Sequence, residues 1–404
     1  MQVVSGVFAG LTWLLALGWV AQWVWWRYGV PRVPDLTDGA GAALPELVEE
    51  SRSLPNLTVI VPACNEQAAI GATLHSLLDS RGVALQIIAV NDRSTDRTGQ
   101  IMDDVASDFA RSGSDTRHTL DILHIAVLPP GWLGKPHALA TAAAKARTNW
   151  LLFTDGDVLF SPHALATALR FAESEEADHL VLMPDWITHS FGERAMHGAI
   201  HALSVWSMRP WRVADPRARD FLGVGAFNLI RRSTYESLGG FTALRMEVLE
   251  DLRLGWMVKR ARYRQRIAVG PGLVSVRWSD GAWGVVRNLE KNLFALYRYN
   301  LPLALAACGG LVLQVALPLV ALVVGGWARA GALVLYAAVF GIYVVSKRIT
   351  RLSPVCFLLY PPAAALFLFA HLRSIGLALL RGGIVWRGTL YRISNLRENS
   401  GSFW

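Results

Sequence analysis

Charged residues are scarce in this sequence. Asp, Glu, Lys and Arg make up 17% of its 404 residues against 53% hydrophobic residues, a ratio too apolar for an ordinary soluble enzyme. Cysteine is scarcer still. Cys64, Cys308 and Cys356 are odd in number and widely separated, which excludes a disulfide scaffold and a zinc site of ordinary ligand spacing. Lysine is sparse, so the formal net charge of +8 rests mainly on arginine. That sign suits nucleic acid, anionic lipid or a phosphorylated substrate. The arginines cluster around apolar stretches and no nucleic-acid recognition motif accompanies them, so nucleic acid is not an expected partner. No Lys or Arg precedes the first apolar run, where a secretory signal would carry a basic leader.

Long apolar runs are present instead. Residues 7–26 have about the ~20 positions a helix needs to cross a bilayer. Trp23, Trp25 and Trp26 gather at the far end, followed by Arg27 and Arg32. The positive-inside rule then points that end to the cytoplasm. Residues 1–30 read as an anchor and 31–56 as a polar linker rich in Pro, Gly and acid. Toward the other terminus, 303–327 and 332–345 are apolar enough to be membrane helices, with Lys347, Arg348 and Arg351 behind the second. A third stretch, 354–380, is interrupted by Pro361-Pro362, and a basic tail covers 381–404. Three full crossings after an inward-pointing anchor would leave that tail outside, against the positive-inside rule. A re-entrant turn at Pro361-Pro362 is therefore expected, with residue 397 labelled from the cytoplasm. Residues 281–300 carry Trp283, Val286, Leu289, Leu293, Leu296 and Tyr297 at helical spacing. This amphipathic pattern suits a membrane interface or an ordinary packed surface helix.

Between the apolar ends, residues 57–280 alternate strand and helix patterns. Apolar runs at 57–61, 85–90, 122–128 and 150–153 read as buried strands. The set Ile70, Leu74, Leu77, Leu78, the set Ile101, Met102, Val105, Phe109, and the alanine-rich run 136–146 read as the helices between them. Further on, 180–183 reads as a strand and 191–211 as a helix. Ser161-Pro162 reads as a helix start, and Ser233 with Glu236 as a capping box. This rhythm predicts an α/β domain with a doubly wound, Rossmann-like and mostly parallel sheet. In such sheets ligands collect beyond the carboxyl ends of the strands. Asn65-Glu66, Asp92 and Asp155-Gly156-Asp157 all fall at such ends.

The last of these follows the unbroken run Trp150-Leu151-Leu152-Phe153-Thr154. Carboxylates at the end of a buried strand are costly to desolvate unless they hold something positive. Two of them one residue apart, with glycine between, can converge on a divalent cation through oxygen ligands. A solvated Asp-Gly turn explains the same residues.

Taken in order, Val61-Pro62-Ala63-Cys64-Asn65-Glu66, Asn91-Asp92-Arg93-Ser94-Thr95-Asp96, Gly134-Lys135-Pro136, Asp155-Gly156-Asp157 and Glu250-Asp251 resemble the motif series of family 2 glycosyltransferases of the GT-A fold. The membrane-anchored members that glycosylate lipids, ceramide glucosyltransferase-like and carotenoid- or hopanoid-associated, are the most similar. The tail Trp386-Arg387-Gly388-Thr389-Leu390-Tyr391 also resembles theirs. The resemblance implies a nucleotide-sugar donor, most simply a UDP-sugar, a lipid acceptor and a catalytic domain on the cytoplasmic side of the cell membrane. It assigns Pro62, Asn65, Glu66, Asp92, Lys135 and Asp155 to the nucleotide-sugar. Asp155 and Asp157 would take Mg²⁺ or Mn²⁺, which suit oxygen donors. Asp251, beside Glu250, would be the general base that removes the acceptor hydroxyl proton, with inversion at the anomeric carbon. Gly223, Gly225 and Asn228 would form the loop under the acceptor. Plainer readings stand beside these: Asp96 as a helix cap, Asp251 as a first-turn charge favourable to the helix dipole, and the glycines as a tight turn into a strand.

The sequence departs from the family at one place. Processive and ceramide-type members carry an Arg-Trp pair after the acidic pair, whereas 287–292 here reads Arg-Asn-Leu-Glu-Lys-Asn. Arg287 and Lys291 are left to meet diphosphate or lipid headgroups. A processive polysaccharide synthase and a non-enzymatic membrane protein on a degenerate transferase fold are the alternatives.

Overall fold

The computed structural model describes residues 2–38, 56–113 and 118–399. The chain forms two compact units, one gathering Val33–Ile187 with Pro210–Arg277, the other Met1–Arg32, Thr188–Arg209 and Trp278–Glu398. It starts in the second with helix α1 (Gln2–Gly29) and enters the first at Val33. Most of the expected linker, 39–55, lies outside the described residues. Its start is not free: Leu36 N–H donates to Val269 O at 2.8 Å and Val269 N–H to Pro34 O at 2.9 Å, so these residues extend a sheet edge.

The first unit is the expected α/β layer. Strand β1 (Asn56–Ala63) is followed by α2 (Ile70–Leu78), β2 (Ala84–Asp92), α3 (Thr98–Ser112), β3 (Thr119–Ile125), α4 (Gly134–Ala143) and β4 (Trp150–Phe153). Next come β5 (Val158–Phe160), α5 (Ala164–Ser174), β6 (His179–Met183) and β7 (Asp185–Trp186). Helix α6 (Phe191–Ser204) belongs to the other unit. The chain returns with β8 (Asn228–Arg231), α7 (Arg232–Ser237), α8 (Glu250–Arg260), β9 (Gln265–Val269) and β10 (Val274–Val276). The main sheet has the order β3-β2-β1-β4-β8-β6-β9. Its β1, β2, β3 and β4 run parallel, and β8 is antiparallel to both β4 and β6.

The runs at 57–61, 85–90 and 150–153 go where continuous hydrophobicity demands, into strands covered on both faces. The strand expected over 122–128 is instead β3 at Thr119–Ile125, a sheet edge that is only partly buried. Leu57, Val59, Val61 and Leu152 join one core cluster, Ile60, Leu151 and Phe153 the other. Burial stabilises each such side chain by roughly 1.5–3 kcal/mol. Pro62 can sit in a central strand because the β1–β4 pairing ends at Ile60↔Phe153, so its missing N–H leaves no ladder bond unmade there. A smaller sheet, β5-β10-β7, stands beside the main one.

Two cap assignments change. Ser161 makes no side-chain cap, and α5 begins at Ala164 behind His163. Ser233 likewise caps nothing, since α7 starts earlier, and Glu236 instead accepts from Arg232 at 2.7 Å. A capping box does form at Ser190 and Glu193, where the Ser-x-x-Glu spacing meets a true helix start. The helix expected over 191–211 stops at Ser204.

The helical unit holds α9 (Gly281–Leu296), α10 (Leu301–Val324), α11 (Gly326–Thr350), α12 (Tyr360–Arg381), the hairpin β11 (Gly383–Trp386) and β12 (Thr389–Arg392), and α13 (Ile393–Asn399). Four stretches are long and apolar enough to cross a membrane: Gly6–Arg32, Leu301–Val324, Gly326–Thr350 and Pro354–Leu380. α1 packs along α11. Gly341 makes that approach possible, because a Cβ there would lie 2.4 Å from Trp23 Nε1. The turn expected at Pro361-Pro362 does not occur. The two prolines occupy the first turn of α12, where their missing N–H groups would have had no helical partner in any case. The helix then runs unbroken to Arg381.

Candidate functional site

The Asp155-Gly156-Asp157 turn is held from both sides. Ahead of it β4 lies in the main sheet, and behind it β5 lies in the small sheet. Thr154 N–H donates to Ile60 O at 3.2 Å and its hydroxyl to Ala226 O at 2.7 Å. Thr73 Oγ1 donates to Gly156 O at 3.0 Å. A Cβ on Gly156 would lie 3.3 Å from Ala63 Cβ and 3.5 Å from Glu66 Cγ. The glycine therefore lets the turn settle against the end of β1.

Lys135 is the centre of the arrangement. It stands in the first turn of α4, and its ammonium lies 2.6 Å from Asp155 Oδ1 and 2.6 Å from Glu250 Oε1. Burial alone would favour its neutral form, but Asp155, Glu250 and Asp251 outweigh it and push the pKa above the usual lysine value. The expected site residues Lys135, Asp155, Glu250 and Asp251 are thus brought together from α4, the β4–β5 turn and the head of α8.

The carboxylates around that ammonium are in excess. Asp157 is pushed up to about 7 by desolvation, then by the charges of Asp155 and Glu66. Asp251 is pushed up to about 6, first by desolvation and then by Glu250, with Lys135 and a hydrogen bond from Leu252 N–H at 2.7 Å opposing. Part of the Asp251 surface is open, yet the group is recessed among protein atoms, so desolvation leads. Carboxylates held partly protonated by their neighbours are poised to take up positive charge. Among the described residues, no three His, Cys, Asp or Glu side chains form a ready metal cage. Asp155 and Asp157 are oxygen donors of the kind a hard divalent cation takes.

Two glycines determine how closely the pieces approach. A Cβ on Gly225 would stand 2.6 Å from Asp155 Oδ2 and 3.3 Å from Lys135 Nζ, and one on Gly223 only 1.8 Å from Asp251 O. Gly223 and Gly225 thus border the cluster. Asn228 does not. It is buried in β8, and its Oδ1 bonds His179 Nε2. Gln265 Nε2 in turn contacts His179 Nδ1 at 2.8 Å and donates to Leu222 O at 3.0 Å and Gly255 O at 3.2 Å. This buried relay ties the 222–225 loop to α8 directly behind Asp251. His179 is held neutral, its pKa lowered to about 4 by burial. Sequence reading missed it, because a His and a Gln inside strand patterns carry no motif.

The residues expected to meet the nucleotide are laced together at the strand ends. Asn65 adopts φ 59°, and its Oδ1 accepts from Thr95 N–H at 2.8 Å. Glu66 N–H donates to Thr98 Oγ1 at 2.8 Å. Asp96 accepts from Thr98 N–H at 2.9 Å and Gln67 N–H at 3.2 Å, which makes it a loop brace. Asp92 is fully buried and accepts from Arg93 Nε at 2.8 Å. A Cβ on Gly134 would lie 2.4 Å from Asp92 Oδ2 and 2.4 Å from Arg93 Nη2, so the Gly-Lys-Pro turn rests on that pair. Arg93 was not singled out by sequence. It stands inside the Asn91–Asp96 motif, which gave it no role of its own.

Residues 58–253 match the model of the glycosyl transferase family 2. The chain carries a family 2 glycosyltransferase domain. That match ends two residues past Asp251 and takes in every cluster member named above. A 4,4'-diaponeurosporenoate glycosyltransferase from Staphylococcus aureus (strain bovine RF122 / ET3-1) is 29% identical over 202 residues, 50% of each chain. The protein of the same description from strain MRSA252 is 29% identical over 201 residues, 49% of this chain and 50% of its own. The chain spans about half the length of these relatives. Among solved structures, a mannosyltransferase from Pyrobaculum calidifontis in complex with GDP-Man and Mn2+ covers 92% of this chain and 99% of its own, with 18% identity and a TM-score of 0.50. That likeness concerns the fold, and agrees with the GT-A architecture of the family 2 domain.

Proposed function

We propose that the chain is an inverting, metal-dependent glycosyltransferase that moves one sugar from a nucleotide-sugar, most simply a UDP-sugar, to a lipid acceptor at the cytoplasmic face of the cell membrane. The observation that carries this reading is the cluster of Lys135, Asp155, Glu250 and Asp251 at the strand ends of a family 2 domain. Asp92 and Glu66, at the ends of β2 and β1, accept from ribose hydroxyls and the base. Lys135, at the N-terminus of α4, meets the diphosphate, where the ammonium and the helix end both favour negative charge. Asp155 and Asp157 hold Mg²⁺ or Mn²⁺, which when bound neutralises charge on the leaving nucleoside diphosphate. Asp251 takes the acceptor proton. Its raised pKa of about 6 keeps it ionised at neutral pH yet basic enough for that work. The C–O bond to the diphosphate breaks as the acceptor oxygen bonds the anomeric carbon from the opposite face. Four apolar helices and the naming of two relatives after a carotenoid acid support an acceptor confined to the bilayer.

The test is to incubate membranes containing the protein with labelled UDP-sugars and Mn²⁺ or Mg²⁺, extract lipids and measure transfer. Asp251→Asn should lower turnover about 10²–10⁴-fold while leaving donor binding near the wild-type level. Equal product from wild type and variant would remove Asp251 from the base role.

A further inference from the structure

A second chain of polar side chains, apart from the Lys135 cluster, braces the end of β2. Asn91 on β2 and His124 on β3 are register partners in the parallel ladder. Their side chains meet, with Asn91 Nδ2 lying 3.1 Å from His124 Nδ1. Across the ring, His124 Nε2 lies 3.0 Å from Oδ1 of Asp103 on α3. Gly99, in the first turn of α3, makes room for this contact. A Cβ there would lie 2.5 Å from Asn91 Nδ2 and 3.5 Å from His124 Cε1.

Donors and acceptors in this chain can be ordered in one way only. Asn91 Oδ1 accepts from Ser94 N–H at 3.2 Å, and a backbone N–H requires the amide oxygen on that side. The amide nitrogen, which only donates, then faces His124. Nδ1 is therefore the accepting nitrogen, and the ring proton sits on Nε2. Nε2–H in turn donates to Asp103. The carboxylate thus selects the tautomer that keeps the Asn91 oxygen toward Ser94. What Asn91 holds is the turn after Asp92. Ser94 Oγ accepts from Asn65 N–H at 3.1 Å, and Asn65 Oδ1 accepts from Thr95 N–H at 2.8 Å. The chain from Asp103 through His124 and Asn91 so reaches the loops at the ends of both β1 and β2. His124 and Asp103 are half-exposed. An apolar pair there would pack the sheet edge as well, but would not fix which way the Asn91 amide points.

We infer that His124 and Asp103 are positioning residues for donor binding: they orient the Asn91 amide, which sets the turn beside Asp92. The inference rests on the ends of β1 and β2 being the nucleotide site. Purified full chain in detergent is titrated with UDP and, separately, GDP in Mn²⁺, and transfer is followed with the matching sugar nucleotides. His124→Leu should raise donor KM about threefold, the worth of one half-exposed hydrogen bond, at unchanged kcat and melting temperature. Asp103→Ala should move donor KM in the same direction, and decides the matter if His124→Leu does not fold. His124→Asn should restore the wild-type KM, because its Oδ1 takes the place of Nδ1 as acceptor, even though Asp103 loses the ring. A packing role would give no such rescue. In ¹⁵N-histidine-labelled protein, the His124 signals, assigned by their loss in His124→Asn, should be those of the Nε2–H tautomer. Unchanged donor KM in the Leu and Ala variants, no rescue by Asn, or an Nδ1–H tautomer would each overturn the inference and leave the transferase reading standing. Wild type that binds neither nucleotide would overturn both.

Discussion

Asp157 and Asp251 have pKa values pushed up to about 7 and about 6, and both consequences can be measured. For activity, the base and the metal ligand must each be ionised, so turnover should fall as pH drops through about 7 to 6. A rate that stays flat from pH 8 to pH 5 would contradict these roles. For stability the sign reverses. A carboxylate whose folded pKa lies above its unfolded value binds protons more readily when folded. Its penalty is therefore present above the folded pKa and disappears as pH falls toward about 4. In chelator at pH 8, Asp157→Asn should stabilise the fold by about 1 kcal/mol or more, read as a higher melting temperature, while lowering transfer. Asp157 was legible in the sequence because it ends an apolar run, and Asp251 only through the resemblance of its acidic pair to the family's motif series. Their mutual repulsion was not, since β1, the β4–β5 turn and α8 are far apart along the chain.

The elements that hold the site were only partly legible. Apolar runs predicted β1, β2 and β4 because continuous burial needs continuous hydrophobicity, and the Asp155-Gly156-Asp157 turn follows from the run that ends there. The relay of Asn228, His179 and Gln265 carries no pattern, as each residue sits singly inside a strand. Gln265→Leu should remove the bonds to Leu222 O and Gly255 O and leave those carbonyls and His179 without this donor. A loss of about 1–3 kcal/mol in denaturant stability is expected, together with a lower kcat at near-constant donor KM, because the 222–225 loop loses its hold on α8. Gln265→Glu, ionised at neutral pH, can only accept and donates from neither oxygen, so it should not rescue. A unchanged kcat in Gln265→Leu would reduce the relay to core packing. The caps show the same limit: Ser-x-x-Glu occurs at 190 and at 233, and only the first coincides with the helix start that tertiary packing selects.

At the scale of the whole molecule, apolar length decides the setting. Four helices able to cross a bilayer should keep the protein in the pellet after alkaline carbonate washing and release it only with detergent. Recovery in the wash would contradict spanning. Composition alone implied this, because hydrophobic runs of ~20 residues have few other stable environments. The sequence by itself also determined the α/β layer, the order of the motifs and the acidic residues at strand ends, all of which are local consequences of hydrophobic period and turn chemistry. Only the tertiary structure decided that Lys135 joins Asp155 to Glu250, that Pro361-Pro362 start a helix instead of turning one, and that Asn228 faces a buried histidine. Those outcomes depend on which distant segments pack together, and close approach through Gly134, Gly223 and Gly225 is a property of the packed chain that no single stretch of sequence carries.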